Sequence, residues 1–200
     1  MKRLVPLAFC ILLVLSPAQA AFVYSGLQDI VIPTDFNGIY IDIDNGATST
    51  SDFIGADINP FFGGSGVINN AAFQPVRSGT NYDDAIVRLP SGALISSLSI
   101  FSIGIGESGG TNSHMGPGTD QFLPGEEGYL GFKFTKNDSS GPFFGWMRVV
   151  FTNAVPGGLI RDWMYDDSGA PIFAGAPEPA RGVLTILGLA ALLRCRRRGR

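Results

Sequence analysis

Histidine and cysteine are almost absent from this 200-residue chain: it has one histidine, His114, and two cysteines, Cys10 and Cys195. A lone histidine cannot build a zinc site of the usual His-rich kind, and no cysteine lies near it to help. Both cysteines fall in the end segments 1–20 and 181–200, so nothing between those segments can form a disulfide. The body must therefore rest on a hydrophobic core, which a single domain of this length with 15 phenylalanines can supply. Basic residues are scarce too. Eight of the 14 (Lys2, Arg3, Arg181, Arg194, Arg196, Arg197, Arg198 and Arg200) lie in the end segments, so six face 17 acids between them, a net charge of −11. That excess argues against nucleic acid and anionic membranes as partners of the body.

The body also lacks any stretch with capped 3.6-residue periodicity. It has frequent Gly, Ser, Asn and Pro with short apolar alternations between them, the pattern of an all-β protein. Ile39/Ile41/Ile43, Ala85/Val87/Leu89, Phe101/Ile103/Ile105 and Leu130/Phe132/Phe134 each alternate with intervening residues. Phe144–Phe151 is apolar on both faces and reads as a central strand; Leu159–Tyr165 and Ile172–Ala174 read as further strands. Residues 51–73 and 106–128 are Gly-rich and polar and read as long loops. The expected fold is an antiparallel β-sandwich, jelly-roll-like, of about eight or more strands over residues 21–175. Phe132, Phe134, Trp146 and Val150 are expected in its core.

The two ends carry signals of another kind. Met1-Lys2-Arg3, the apolar run Leu4–Leu15 and Ala18-Gln19-Ala20 form a secretory signal peptide over residues 1–20, with cleavage after Ala20. At the other end, Pro177 and Pro179 hold Glu178 on an extended stretch, because proline fixes φ and cannot donate a backbone hydrogen bond. An uncharged segment, Gly182–Leu193, follows; as a helix it would cover about 18 Å, less than the roughly 30 Å of the hydrocarbon core. Flanking arginines that snorkel and local thinning would let it anchor as a transmembrane sorting helix. Arg194, Arg196, Arg197, Arg198 and Arg200 would stay cytoplasmic, leaving the body outside on a transient inner-membrane anchor.

The order Pro177-Glu178-Pro179, apolar run, arginine cluster over residues 176–200 resembles the PEP-CTERM sorting domain. The resemblance implies processing near the Pro-Glu-Pro by an exosortase, a membrane-embedded cysteine transpeptidase, after signal peptidase has acted at the front. A second stretch, Tyr129–Phe134, Phe144–Val149, Asp162–Asp166 and Pro171–Gly175, is similar to the C-terminal half of many PEP-CTERM exported proteins of unassigned function. It implies a β fold and no activity.

Within the body several residues invite chemistry. Ser108 lies between glycines in Gly106–Gly110, but the single histidine, His114, shares its loop and no helix follows, which disfavours a serine hydrolase. Asp42, Asp44 and Asp52, with Asn45-Gly46, place closely spaced oxygens in a turn that could wrap Ca²⁺; the bland reading is a solvated hairpin turn. No other cofactor is implied. Trp146, Trp163, Tyr165 and Tyr129 could form an aromatic platform for sugars, although aromatics at alternating strand positions are more often packing residues. Asp83-Asp84, Asp166-Asp167 and Glu126-Glu127 read as exposed turn carboxylates. The reading that results is an exported surface or matrix protein, structural or adhesive and without catalytic activity, with extracellular polysaccharide as a partner to consider. The alternatives are a secreted carbohydrate-binding module and, behind it, a serine hydrolase.

Overall fold

A computed structural model describes residues 22–81, 84–101, 111–113 and 115–176. These residues form thirteen strands: β1 (Phe22–Tyr24), β2 (Ile30–Ile32), β3 (Tyr40–Ile41), β4 (Thr48–Ser49), β5 (Ile58–Phe61), β6 (Gly66–Asn69), β7 (Phe73–Pro75), β8 (Leu94–Ile95), β9 (Thr111–Asn112), β10 (Glu127–Phe134), β11 (Phe143–Val150), β12 (Gly158–Asp166) and β13 (Ile172–Phe173). A 3₁₀ turn, Phe62–Gly64, joins β5 to β6. The expected signal peptide and sorting helix lie outside the described residues.

The strands make two antiparallel sheets and a ribbon. The larger sheet runs β1-β12-β11-β10-β7, with β2 also paired to β12; the second runs β4-β3-β5-β6-β9; β8 pairs β13. The meander β10-β11-β12 is the backbone of the molecule. Strand β11 lies between the other two and is buried on both faces, as its unbroken apolar run implied.

Those two faces meet separate cores. Leu130, Phe132, Phe134, Phe143, Met147, Val149, Trp163 and Tyr165 pack against Ile41, Ile43, Ile58 and Val67 of the second sheet. Phe144, Trp146 and Met164 turn the other way, against Val76, Phe101 and the Ile95, Ile172 and Ala174 of the ribbon side. The strand period of two sends successive residues of β11 to opposite cores. Where the chain must come close, side chains vanish. A Cβ on Gly145 would lie 2.4 Å from the Phe132 ring, and one on Gly131 2.5 Å from Leu89.

Several expectations are corrected. Residues 51–73 contain β5, the 3₁₀ turn and β6 rather than a long loop. Pro60 hid the strand, since proline is unusual in a sheet; here its carbonyl still accepts the Ile39 N–H at 3.1 Å. Ala85–Leu89 forms only isolated bridges, Ile86 with Arg77 and Ser113 and Leu89 with Tyr129. Ile86 enters the first core, while Val87 and Leu89 pack on the second, so both sides of that segment find apolar surroundings. Val150 is half-buried; its neighbour Val149 is the core residue. Phe132, Phe134 and Trp146 are buried as expected.

Candidate functional site

The aromatic residues considered as a sugar platform are committed elsewhere. Trp163 and Tyr165 lie in the first core and Trp146 in the second, all buried, with Tyr129 packed edge-on against Trp146 at 5.5 Å between centroids. The Trp163 indole N–H donates to the Ile43 carbonyl at 3.1 Å. Burial of these rings removes the exposed-platform reading.

The charged residues of the motif-like stretches also turn out to be structural. Arg148 and Asp162 face each other across β11 and β12. The guanidinium donates twice, Nε to Oδ1 at 3.1 Å and Nη2 to Oδ2 at 2.5 Å, and the Tyr24 hydroxyl adds a third bond to Oδ2 at 2.8 Å. A bulge after Arg148 shifts the register and admits Arg161. Arg161 then pairs with Asp29 at 2.6 Å and Glu127 at 3.3 Å. Glu126 and Glu127 are exposed as expected, but Asp166 is buried and accepts the Ser168 N–H at 2.8 Å.

A different polar cluster is built on the second sheet. After β3 the chain turns over Asp42–Gly46, closed by Gly46 N–H to the Asp42 carbonyl at 2.9 Å, with Gly46 at φ 74°. Asp42 is buried rather than solvated. Its Oδ1 accepts the N–H groups of Asp44 and Asn45, both at 3.2 Å, an Asx-type turn. Its Oδ2 accepts Nδ2 of Asn45 at 2.6 Å and Nδ2 of Asn137 at 2.9 Å. Asn137, from the β10–β11 loop, also gives its backbone N–H to Asp44 Oδ2 at 3.0 Å, so this amide ties the two sheets. Burial, together with the neighbouring Asp44 carboxyl, raises the Asp42 pKa.

One loop further on stands Asp57, only 5% exposed. Its backbone N–H donates to Ile41 O at 2.8 Å and its Oδ2 accepts the Ile43 N–H at 2.8 Å. Burial pushes its pKa up to about 7, and the Asp42 and Asp44 charges act in the same direction. Asp57 opens on a cleft of about 320 Å³, lined by Tyr40, Asp52, Ala56, Ile58, Asn59, Ile68, Asn69 and Asn70 as well. Alternation along β5 places Ile58 in the core and Asp57 and Asn59 on the opposite side. Asn69 and Asn70 are spent on structure: Asn69 donates to Phe73 O at 2.7 Å and Asn70 to Ala56 O at 2.7 Å. Asn59 is 2% exposed; its Nδ2 donates to Asn37 O at 3.0 Å and its Oδ1 is buried without a partner.

The three aspartates singled out for calcium are thus divided. Asp42 and Asp44 share Asn137, whereas Asp52 lines the cleft with Asp57. Among the described residues no group of three or more His, Cys, Asp or Glu side chains is arranged to hold a metal ion. Ser108, His114, Asp83, the Pro177-Glu178-Pro179 motif and the terminal arginines lie outside the described residues. Sequence reasoning missed Asp57, Asn59, Tyr40 and Asn137. The alternation Asp57-Ile58-Asn59 was the available signal for the first two; nothing local could have paired Asn137 with a turn 93 residues away.

No family model, curated protein or solved structure matches this chain.

Proposed function

We propose that this chain is an exported protein of the cell surface or extracellular matrix, structural or adhesive in role. Signal peptidase removes residues 1–20, and an exosortase processes the tail at Pro177-Glu178-Pro179. The single observation that carries this reading is the three-part order of the tail: rigid acidic motif, apolar run, then Arg194, Arg196, Arg197, Arg198 and Arg200. The body is compatible with it, since it stands on packed aromatics and a cross-strand ion pair, with no disulfide to form after export.

Intact-mass analysis of the protein recovered from its native envelope and medium tests the proposal. The expected product lacks Met1–Ala20 and the terminal arginines. Glu178→Ala should accumulate as unprocessed, membrane-held protein. Mature surface protein still ending at Arg200, or normal release of that variant, would sink it.

A further inference from the structure

We infer that the cleft beside β5 is a binding site for a neutral saccharide, recognised by Tyr40, Asp52 and Asp57. The inference rests on the surface-protein reading for its biological setting, and on the cleft alone for its chemistry.

Size comes first. A volume of about 320 Å³ exceeds anything a bare ion needs. It falls at the lower end of small-molecule sites, which run from about 300 to 1,000 Å³.

The lining comes second. A sugar hydroxyl both donates and accepts, so it is held best by groups that can do either. Tyr40 brings an aromatic ring and a hydroxyl that takes no hydrogen bond from the described residues. Asp57 is more than nine-tenths buried, yet only its Oδ2 is committed, to Ile43, which leaves Oδ1 for the cleft. Burial keeps a proton on this carboxyl into the neutral range, so it too can donate or accept. Asp52, exposed, also lines the cleft and offers an acceptor. Asp57 Oδ1 accepts no hydrogen bond from the described residues, so a ligand hydroxyl in the cleft can bond to it.

Charge comes third. Asp42, Asp44 and Asp52 surround Asp57, and the body carries a net −11, so a uronate or sulfated sugar would be repelled. Apolar contact is available from Ala56 and Ile68, suited to the C–H faces of a pyranose ring.

The test is calorimetric titration of the full chain in detergent with neutral gluco-, manno- and galacto-hexasaccharides, and separately with CaCl₂. At least one hexasaccharide should bind. Tyr40→Phe and Asp57→Ala should each weaken it about tenfold, the loss of one net hydrogen bond, whereas Asp57→Asn, which still offers a donor, should retain binding. Leu98→Ala, at an exposed position on the ribbon side of the larger sheet, should leave it unchanged. Thermal melts of each variant separate lost binding from lost folding, and Tyr40→Phe removes a single oxygen. Binding of none of the three sugars overturns the inference, as does sugar binding indifferent to both Tyr40→Phe and Asp57→Ala. Calcium binding that Asp57→Asn abolishes, without sugar binding, replaces it with a cation site. Exported, correctly processed protein that binds no sugar leaves the surface reading intact; sugar binding by protein that is never exported does the reverse.

Discussion

A single carboxyl, that of Asp57, is the residue whose energetics are most unusual. Its pKa in the folded protein is about 7, against an ordinary carboxylate value near 4, because burial penalises the charge and Asp42 and Asp44 stand close. A raised acid binds its proton more tightly folded than unfolded. Its stabilising contribution is therefore complete below about pH 4 and is lost as pH climbs through about 7. Asp42 is shifted in the same direction. Asp57→Asn keeps an oxygen for the Ile43 N–H but cannot ionise. Melting curves between pH 5 and 8 should show the wild type losing stability with rising pH relative to this variant, by a few kcal/mol in all. Parallel pH dependence of the two proteins would show that Asp57 does not titrate in this range. None of this was visible in sequence, where Asp57 sat inside a stretch read as loop. Its environment is made by Ile43, Asp42 and Asp44, and by a fold that turns the residue inward.

At the scale of the element, the meander β10-β11-β12 was the most legible part of the chain. Leu130/Phe132/Phe134 and the unbroken apolar run of β11 declare their burial through period and composition alone, and the observed β12 extends the anticipated strand by one residue at each end. Short elements were unevenly legible. β3 falls inside the Ile39/Ile41/Ile43 alternation and β13 inside Ile172–Ala174, but β4 and β8 have two residues each, too few for a period to show, and β5 was masked by its proline. The pairing of Arg148 with Asp162 was equally hidden, because register decides it. That pair makes a prediction for the meander as a unit. Asp162→Ala would leave the half-buried Arg148 guanidinium and the Tyr24 hydroxyl without their common acceptor. Arg148 is partly exposed and keeps Glu127 at 3.7 Å, so the cost is that of lost hydrogen bonds to a charged group, about 1.5–3 kcal/mol. Urea unfolding of Asp162→Ala should show that loss; a midpoint equal to the wild type would mean the pair is energetically idle.

For the whole molecule, the important feature is that one strand collects both ends of the body. β1 and β2 pair successive stretches of the same edge of β12, Phe22 opposite Asp166 and Ile32 opposite Gly158. Tyr24 and Asp162, bonded to each other, are 138 residues apart. Removal of Phe22–Tyr24 would therefore uncover the β12 edge, expose Met164 to Asp166 and discard the Phe22 and Val23 packing on the two cores. The truncated body should unfold at a lower urea concentration and self-associate through the freed edge, which gel filtration reads directly. A truncated body that stays monomeric and equally stable would show β1 to be dispensable.

The same closure dictates when the molecule can be finished. A chain appears in the world one residue at a time, from the ribosome or through a pore, and β1 is made early while its partner arrives almost last. Until residue 166 has emerged, Phe22, Val23 and Tyr24 have nothing to pair with and both cores stay open on that side. Contacts this remote in sequence are slow to form, since a long loop must close before they return anything. The pairing that closes this side of the body is thus obliged to wait until residue 166 exists.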